Sequence, residues 1–148
     1  MGSESDVLLE LAWRRISECW NDKRDIETKA SLLLGASGAV ISIIVNAWEK
    51  LNPVFAGIGL ALMLCAVLSC VLSLRIKKFR SVGILEMWES LSDEEFNDLD
   101  RLKLSVYSTL GDIEKENRKL LNEAAGFFSL ATKFFAIANI LITLSLFL

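Results

Sequence analysis

Three long stretches of this chain are almost free of charge. Residues 30–48 and 51–74 contain no Asp, Glu, Lys or Arg, and residues 124–148 contain only Lys133. A helix needs roughly 20 consecutive apolar residues to cross the hydrocarbon core of a bilayer. Each stretch is about that long, so the sequence predicts an all-α integral membrane protein with three transmembrane helices and membrane lipid around them.

Composition argues against several other classes of protein. The chain of 148 residues is 53% hydrophobic and has no histidine, the commonest general base near neutral pH and the commonest metal ligand. It has no phosphate-binding loop, nucleophile motif or zinc pattern, and its three cysteines are not spaced as a metal pair or disulfide framework. We therefore predict no enzymatic activity, cofactor or metal. The net charge of −3, without a separate basic face, also argues against a nucleic-acid partner.

The distribution of Lys and Arg predicts the orientation of the chain. Five precede the first apolar stretch and nine lie between Arg75 and Lys119, whereas the turn between the first two stretches has only Lys50. Basic residues concentrate on the cytoplasmic side of membrane proteins. The N-terminus is therefore expected in the cytoplasm and the C-terminus outside. The acidic start of the chain does not resemble a signal peptide, so the first apolar stretch is expected to direct insertion.

Four segments follow from these patterns: an N-terminal amphipathic cytoplasmic helix (1–29), a transmembrane hairpin (30–74), a cytoplasmic helical segment (75–123) and a third transmembrane helix (124–148). The apolar residues of the first helix have 3-4 spacing, which suits either packing on another helix or lying in the membrane interface. Mixed charges on its polar face favour packing. These apolar residues are Leu8, Leu11, Ala12, Ile16, Cys19 and Trp20.

Local signals predict where the helices begin and end. Asn52-Pro53 predicts a tight turn inside the hairpin. A bend is expected over 81–92, and Ser92 to Glu95 form a capping box that starts a new helix. The apolar stripe of this helix, which includes Leu110 and Leu121, requires a partner, either the N-terminal helix or the same helix in another subunit. No strong breaker separates it from the last apolar stretch, so one continuous helix is predicted.

Small and polar residues within the spans mark candidate helix-packing or pore-lining faces. Small residues let helices approach closely in lipid, and hydroxyl or amide side chains can hydrogen-bond between helices. We favour packing, and a pore lining stays open. The candidates in the first span are Ser31, Gly35, Gly38, Ser42 and Asn46, and those in the third are Asn139 and Thr143. In the second span the candidates are Gly57, Ala61 and Ser69, which form a row with Cys65 and Ser73 at a spacing of four residues.

Charged residues near the spans are candidates for coupling the cytoplasmic segments to the membrane. Asp25 and Lys29 are four residues apart in the acid-before-base order that supports a helical turn. Lys133 lies inside the third stretch, where a lysine is either an embedded functional charge or extends toward the interface. Its early position in the stretch favours the second interpretation.

Residues 26–42, IETKASLLLGASGAVIS, resemble the segment with which the Pycsar transmembrane effector family begins its first membrane helix: an acidic residue, then Lys-Ala, then a Leu/Gly-rich run. Lys29, Ala30 and Gly35 are the matching positions. The order of segments is similar too, and related small membrane effectors of nucleotide-signalling antiphage systems share it. The resemblance implies a prokaryotic antiviral effector that responds to a cyclic pyrimidine nucleotide and impairs the inner membrane. It assigns no ligand contacts.

Two functional hypotheses follow. The first is a homo-oligomeric, membrane-perturbing effector or channel-like protein, gated by a cytoplasmic signal such as a cyclic nucleotide. The alternative is a non-conducting oligomeric scaffold or adaptor that recruits a cytoplasmic partner. Guanidinium groups match phosphate geometry, so nucleotide binding would require some of the cytoplasmic arginines to converge. Those available are Arg24, Arg80, Arg101 and Arg118.

Overall fold

The computed structural model describes residues 4–75, 79 and 99–147, and the regular elements within these ranges are all helical. Helix α1 spans Glu4–Ala47, a 3-10 turn spans Trp48–Lys50, α2 spans Pro53–Leu74 and α3 spans Leu99–Ser145. The all-α prediction is confirmed for these residues. The predicted bend over 81–92 and the capping box at 92–95 lie outside the described residues, as do Lys77, Lys78 and Arg80.

Each of the three helices includes a window long and apolar enough to cross a membrane. The mean hydropathy of this window is 1.9 in α1, 2.5 in α2 and 1.8 in α3. Only 17%, 33% and 11% of the window in α1, α2 and α3, respectively, is buried inside the chain. A surface of this kind is compatible with a multi-pass membrane protein, because exposed apolar faces are unfavourable in water but can contact lipid.

Helix α1 passes from its charged first half into its apolar second half without a break. Nothing between residues 22 and 29 interrupts helix formation, and Lys29 Nζ donates to Asp25 Oδ2 at 2.5 Å. The predicted pair therefore forms. Both side chains are more than half exposed, so the pair stabilises the helix by only a few tenths of a kcal/mol.

The turn between α1 and α2 follows the Asn52-Pro53 prediction. Asn52 is the N-cap of α2, and its side-chain oxygen accepts a hydrogen bond from Val54 N at 3.1 Å. Pro53 occupies the first turn of the helix, where its missing N–H costs nothing. The backbone N–H of Asn52 donates to Ser145 O at 3.0 Å, so the turn is also held to the end of α3.

The chain forms two compact units. The first comprises Met1–Lys23 and Lys77–Leu121, and the second comprises Arg24–Ile76 and Asn122–Leu148. In the first unit, Ala12 and Ile16 of α1 form an apolar core with Leu110 of α3, and Leu9 and Val106 pack against it. The N-terminal helix therefore packs on another helix of the same chain, as its mixed charges suggested.

The second unit is built from the apolar parts of all three helices, and its buried positions recur every seven residues. This spacing keeps one face of a helix in contact with its neighbours when helices wind around each other with a left-handed twist. The positions that follow these repeats are Ala30, Ser37 and Ile44 in α1, Ala56, Gly59, Met63, Ala66, Cys70 and Ser73 in α2, and Ala124, Ala131, Ala138 and Ser145 in α3; Ser69 of α2 is buried outside them.

Candidate functional site: exposed faces of the apolar helices

Contacts between α2 and α3 fix the alignment of the second unit. Ser73 Oγ donates a hydrogen bond to Ala124 O at 3.0 Å near one end, and Asn52 N donates to Ser145 O near the other. Between these ends Gly59 is fully packed: a Cβ there would lie 2.7 Å from Ile142 Cγ1. The two helices are therefore antiparallel and matched in length over the apolar region.

Helix α2 uses a different face from the one with strict four-residue spacing. Of the predicted set, Ser69 and Ser73 are buried, whereas Gly57 is half-buried and Ala61 and Cys65 are exposed. Residues four apart advance by about 40° around a helix at each step, so such a stripe drifts away from a neighbour. The observed contact alternates steps of three and four residues. A contact of Gly57 and Ala61 with another copy of the chain stays a prediction.

The predicted face of α1 is entirely exposed within one chain. Ser31, Gly35, Gly38, Ser42 and Asn46 are all exposed, and a Cβ at Gly35 or Gly38 would meet nothing within 4 Å. Helix α1 instead buries Ala30, Ser37 and Ile44. The apolar half of α1 therefore has two distinct faces. One packs against other helices of the same chain, and the other, made of small and polar residues, is exposed.

Helix α3 has a comparable open face, which we call the polar stripe. Its members are Ser129, Thr132, Ala136, Asn139 and Thr143, spaced alternately three and four residues apart; Asn139 is half-buried and the others are exposed. Three of these side chains donate to carbonyls of their own helix, Thr132 to Phe128 O at 2.9 Å, Asn139 to Phe135 O at 2.7 Å and Thr143 to Asn139 O at 2.8 Å. These bonds reduce the cost of placing polar side chains in an apolar environment.

Lys133 is exposed beside the polar stripe, one residue after Thr132 and four after Ser129. The other exposed side of α3 has a different chemistry, since Leu130, Ile137 and Leu144 are 43%, 48% and 43% exposed. The outward surface of α3 thus combines large apolar side chains suited to lipid, including Ile140 at 61% exposed beside the stripe, with a row of small and polar side chains and one cation.

The first unit contains a charged cluster around Glu114, whose side chain is only 14% exposed. Arg118 Nε donates to Glu114 Oε1 at 2.8 Å, and Arg15 Nη1 lies 3.9 Å from Glu114 Oε2. The hydrogen bond to Glu114 raises the pKa of the Arg118 guanidinium above its usual value. On the same helix, Lys103 Nζ is paired with Asp6 Oδ1 at 2.6 Å. These pairs join α1 to α3 in addition to the apolar core.

Buried Cys19 lies near this cluster. Burial raises the pKa of its thiol, the nearby Arg118 lowers it, and the raising effect is the larger. A thiol with a raised pKa is a poor nucleophile at neutral pH. Cys19 therefore has the properties of a small apolar core residue.

The structure describes three of the four candidate nucleotide-binding arginines. Arg118 and Arg101 belong to the first unit, where Arg118 is held by Glu114, while Arg24 belongs to the second unit. Arg80 lies outside the described residues. Convergence of these arginines on a nucleotide stays a prediction.

Several buried residues were not singled out from the sequence, and a regular signal for them was present. Ser37 is fully buried in α1, and Ala131 and Ala138 are fully buried in α3. They belong to rows of small or apolar residues repeated every seven positions, as in coiled coils. A search for seven-residue repeats, in place of four-residue ones, finds the face that packs inside the chain.

These features define a class: an all-helical protein with three helices able to span a membrane and with small-residue faces left open. Comparison of the chain with protein-family models, curated proteins and solved structures finds no match. The resemblance to Pycsar effectors around Lys29, Ala30 and Gly35 therefore stays a prediction.

Proposed function

We propose that this chain is a homo-oligomeric protein of the prokaryotic inner membrane that permeabilises the membrane in response to a cytoplasmic signal. The observation that supports this proposal is that α1 and α3 each have a face of small or polar residues that is not buried inside the chain. Gly35 and Gly38 of α1 and the polar stripe of α3 are open in one chain. In lipid, small-residue faces favour close packing with another helix, and polar groups favour a partner or water over hydrocarbon.

The path for ions or solutes lies between copies of the chain in this proposal. Within the second unit, fully buried Ala56, Met63 and Ala66 of α2 fill the contact with its neighbours. Three helices packed through such positions are too few to enclose a path in one chain. Several copies arranged around a common axis can bring their polar stripes together.

The signal reaches the membrane through continuous helices. Both α1 and α3 contribute to the first unit and to the second. A ligand that changes how their first halves pair also acts on their apolar halves, because no loop interrupts either helix. The sequence resemblance makes a cyclic pyrimidine nucleotide the first ligand to test, with the N-terminus in the cytoplasm and the C-terminus outside.

A dye-release assay tests the proposed function. The full chain is reconstituted into liposomes of phosphatidylethanolamine and phosphatidylglycerol that enclose a self-quenched dye. We expect release on addition of a cyclic pyrimidine nucleotide and none with a cyclic purine nucleotide. A variant of a lipid-facing residue, Leu32→Ala, should behave like the original chain, since Leu32 is 70% exposed. Liposomes that stay sealed under every condition would reject permeabilisation.

One observation favours the alternative of a non-conducting scaffold. In the first unit, a small surface groove between α1 and α3 is lined by Leu11, Ala12, Tyr107 and Gly111 and by the charged Arg15 and Glu114. Leu11 and Tyr107 are 47% and 37% exposed. Such a groove suits an apolar side chain of a cytoplasmic partner. Sealed liposomes, together with one stoichiometric partner captured by the original chain and lost in Leu11→Ser, would favour this function.

A further inference from the structure

Lys133 lies deep within the apolar part of the second unit. The contacts of Ser73 with Ala124 and of Asn52 with Ser145 define the two ends of this part. At 1.5 Å per residue, α3 rises about 30 Å between Ala124 and Ser145, which matches the roughly 30 Å thickness of a bilayer core. By the same measure, Lys133 lies about 14 Å from the first end and about 18 Å from the second.

The lysine side chain is too short to reach either end. Five bonds of about 1.5 Å in a zigzag extend the ammonium group about 6 Å from Cα. Pointing toward Ala124, as side chains on a helix tend to do, the Nζ atom still lies about 7 Å short of that level. Extension toward the interface, which the sequence favoured, therefore does not bring the charge to the end of the apolar part.

The three apolar stretches supply no carboxylate at this depth. Residues 30–48, 51–74 and 124–148 contain neither Asp nor Glu, so Lys133 is their only charge. A second copy of the chain brings the same three stretches and adds another lysine. The apolar stretches of the chain and of its copies therefore supply no counter-charge for Lys133, and an anion from solution can take that place.

The surroundings of Lys133 suit a hydrated anion. Ser129 and Thr132 are exposed next to it, and the polar stripe continues toward Ser145 through Ala136, Asn139 and Thr143. The amide of Asn139 uses one N–H for Phe135 O, which leaves a second N–H as a donor. The exposed Ile137 and Ile140 also lie near Lys133, so the polar stripe is a narrow row of groups suited to water between apolar side chains.

We infer that the polar stripe of α3 lines the path between copies and that a ring of Lys133 side chains makes this path selective for small inorganic anions. The inference rests on the proposed oligomeric pore and specifies what passes through it. Rings of basic side chains select anions in pores because they raise the local anion concentration and repel cations. The hydroxyls of Thr132 and Thr143 already donate to their own helix, so selection acts through charge and the anion keeps most of its water.

The reversal potential of reconstituted channels in a KCl gradient tests this inference. For the original chain we expect a reversal potential near that of chloride, with chloride at least several-fold more permeant than potassium. Lys133→Gln should reduce this permeability ratio several-fold, Lys133→Glu should invert it, and Lys133→Arg should retain it. Lys115→Gln, a matched loss of one exposed lysine in the first unit, should leave the ratio unchanged.

The outcomes separate this inference from the proposed function. Currents that favour potassium, or a ratio unchanged in both Lys133→Gln and Lys133→Glu, would overturn the inference and leave the pore in place. Absence of current from an oligomeric, membrane-inserted chain, both with and without a cyclic pyrimidine nucleotide, would reject the pore, and the inference with it. An anionic lipid that co-purifies with the original chain and is lost in Lys133→Gln, with selectivity unchanged, would assign Lys133 to lipid and overturn the inference. Gel filtration in detergent checks that each variant assembles.

Discussion

Gly59 of α2 faces Ile142 of α3 so closely that a Cβ at position 59 would lie 2.7 Å from Ile142 Cγ1 and 3.4 Å from Ala138 O. Ile142 is β-branched, so its Cγ1 atom cannot move aside without a change of rotamer. Glycine at this position therefore sets how close the two helices come. Gly57, two residues earlier on the same helix, has nothing within 4 Å of its Cβ position.

Gly59→Ala should destabilise the chain, because the added methyl group forces α2 and α3 apart. Overpacking typically costs about 1–3 kcal/mol, which exceeds the gain of about 1 kcal/mol from replacing glycine with alanine in a helix. Gly57→Ala is the matched control and should be neutral or slightly stabilising. Unfolding by denaturant in mixed micelles measures both. Equal effects of the two substitutions would contradict the close contact.

Gly35→Leu and Gly38→Leu should disrupt assembly and leave the fold of one chain intact. Both glycines are open in the chain, so the leucine side chains fit without a clash, but they block close approach of a second helix. Gel filtration with light scattering should show smaller oligomers, while circular dichroism stays unchanged. An unchanged oligomer would mean that copies meet through another face, and the polar stripe of α3 would be the next to test.

Ser73→Ala should lower the free energy of unfolding by about 1 kcal/mol, because it removes the buried hydrogen bond from Ser73 Oγ to Ala124 O. Ser31→Ala is the control: its hydroxyl donates to Glu27 O of its own helix at 2.8 Å and is exposed. That substitution should change stability by less than about 0.5 kcal/mol. The same denaturation assay distinguishes the two variants.

Cys19 should react slowly with maleimides. Reaction requires the thiolate, which burial disfavours by raising the pKa of this thiol, and the side chain is only 1% exposed. The test variant carries Cys65→Ala and Cys70→Ala, so that Cys19 is its single thiol. The control carries Ser17→Cys, at an exposed position, with all three native cysteines replaced. We expect Cys19 to be labelled at pH 7.5 at least tenfold more slowly than the control thiol. Similar rates would show that the first unit opens readily.

The raised pKa of Cys19 also gives stability a pH dependence of known sign. In the unfolded chain the thiol ionises at its usual pKa, whereas in the folded chain it ionises only at higher pH. The contribution of the protonated Cys19 thiol to the free energy of unfolding is therefore fully present below the usual thiol pKa. It is lost as pH rises through the raised pKa of the folded chain. Cys19→Ala should remove this part of the decline in stability between pH 7 and pH 10.

Much of the architecture could be predicted from local signals. The apolar stretches predicted three candidate spans, and Asn52-Pro53 predicted the turn before α2. The absence of breakers predicted one helix from Asp93 into the last apolar stretch, and α3 is continuous over Leu99–Ser145. The apolar pattern of the N-terminal helix led to Ala12 and Ile16 as core residues. These features depend on neighbours in the chain, so the sequence contains what is needed to predict them.

The face through which each apolar helix packs could not be predicted in the same way. Gly35, Gly38, Gly57 and Gly59 are alike in sequence, but only Gly59 faces a close neighbour in the chain. In lipid, small residues suit contacts within a chain and contacts between chains equally well. Composition therefore does not distinguish the two uses.

The sequence by itself determined the number of apolar helices, their lengths and the turn between the first two, because a helix in an apolar medium satisfies its backbone hydrogen bonds within its own segment. Only the tertiary structure decided the rotation and register of the helices. The pairs Gly59–Ile142, Ser73–Ala124 and Asn52–Ser145 join residues far apart in the chain, and their contacts depend on how two helices meet. That register is also what places Lys133 deep between the two ends of the apolar unit.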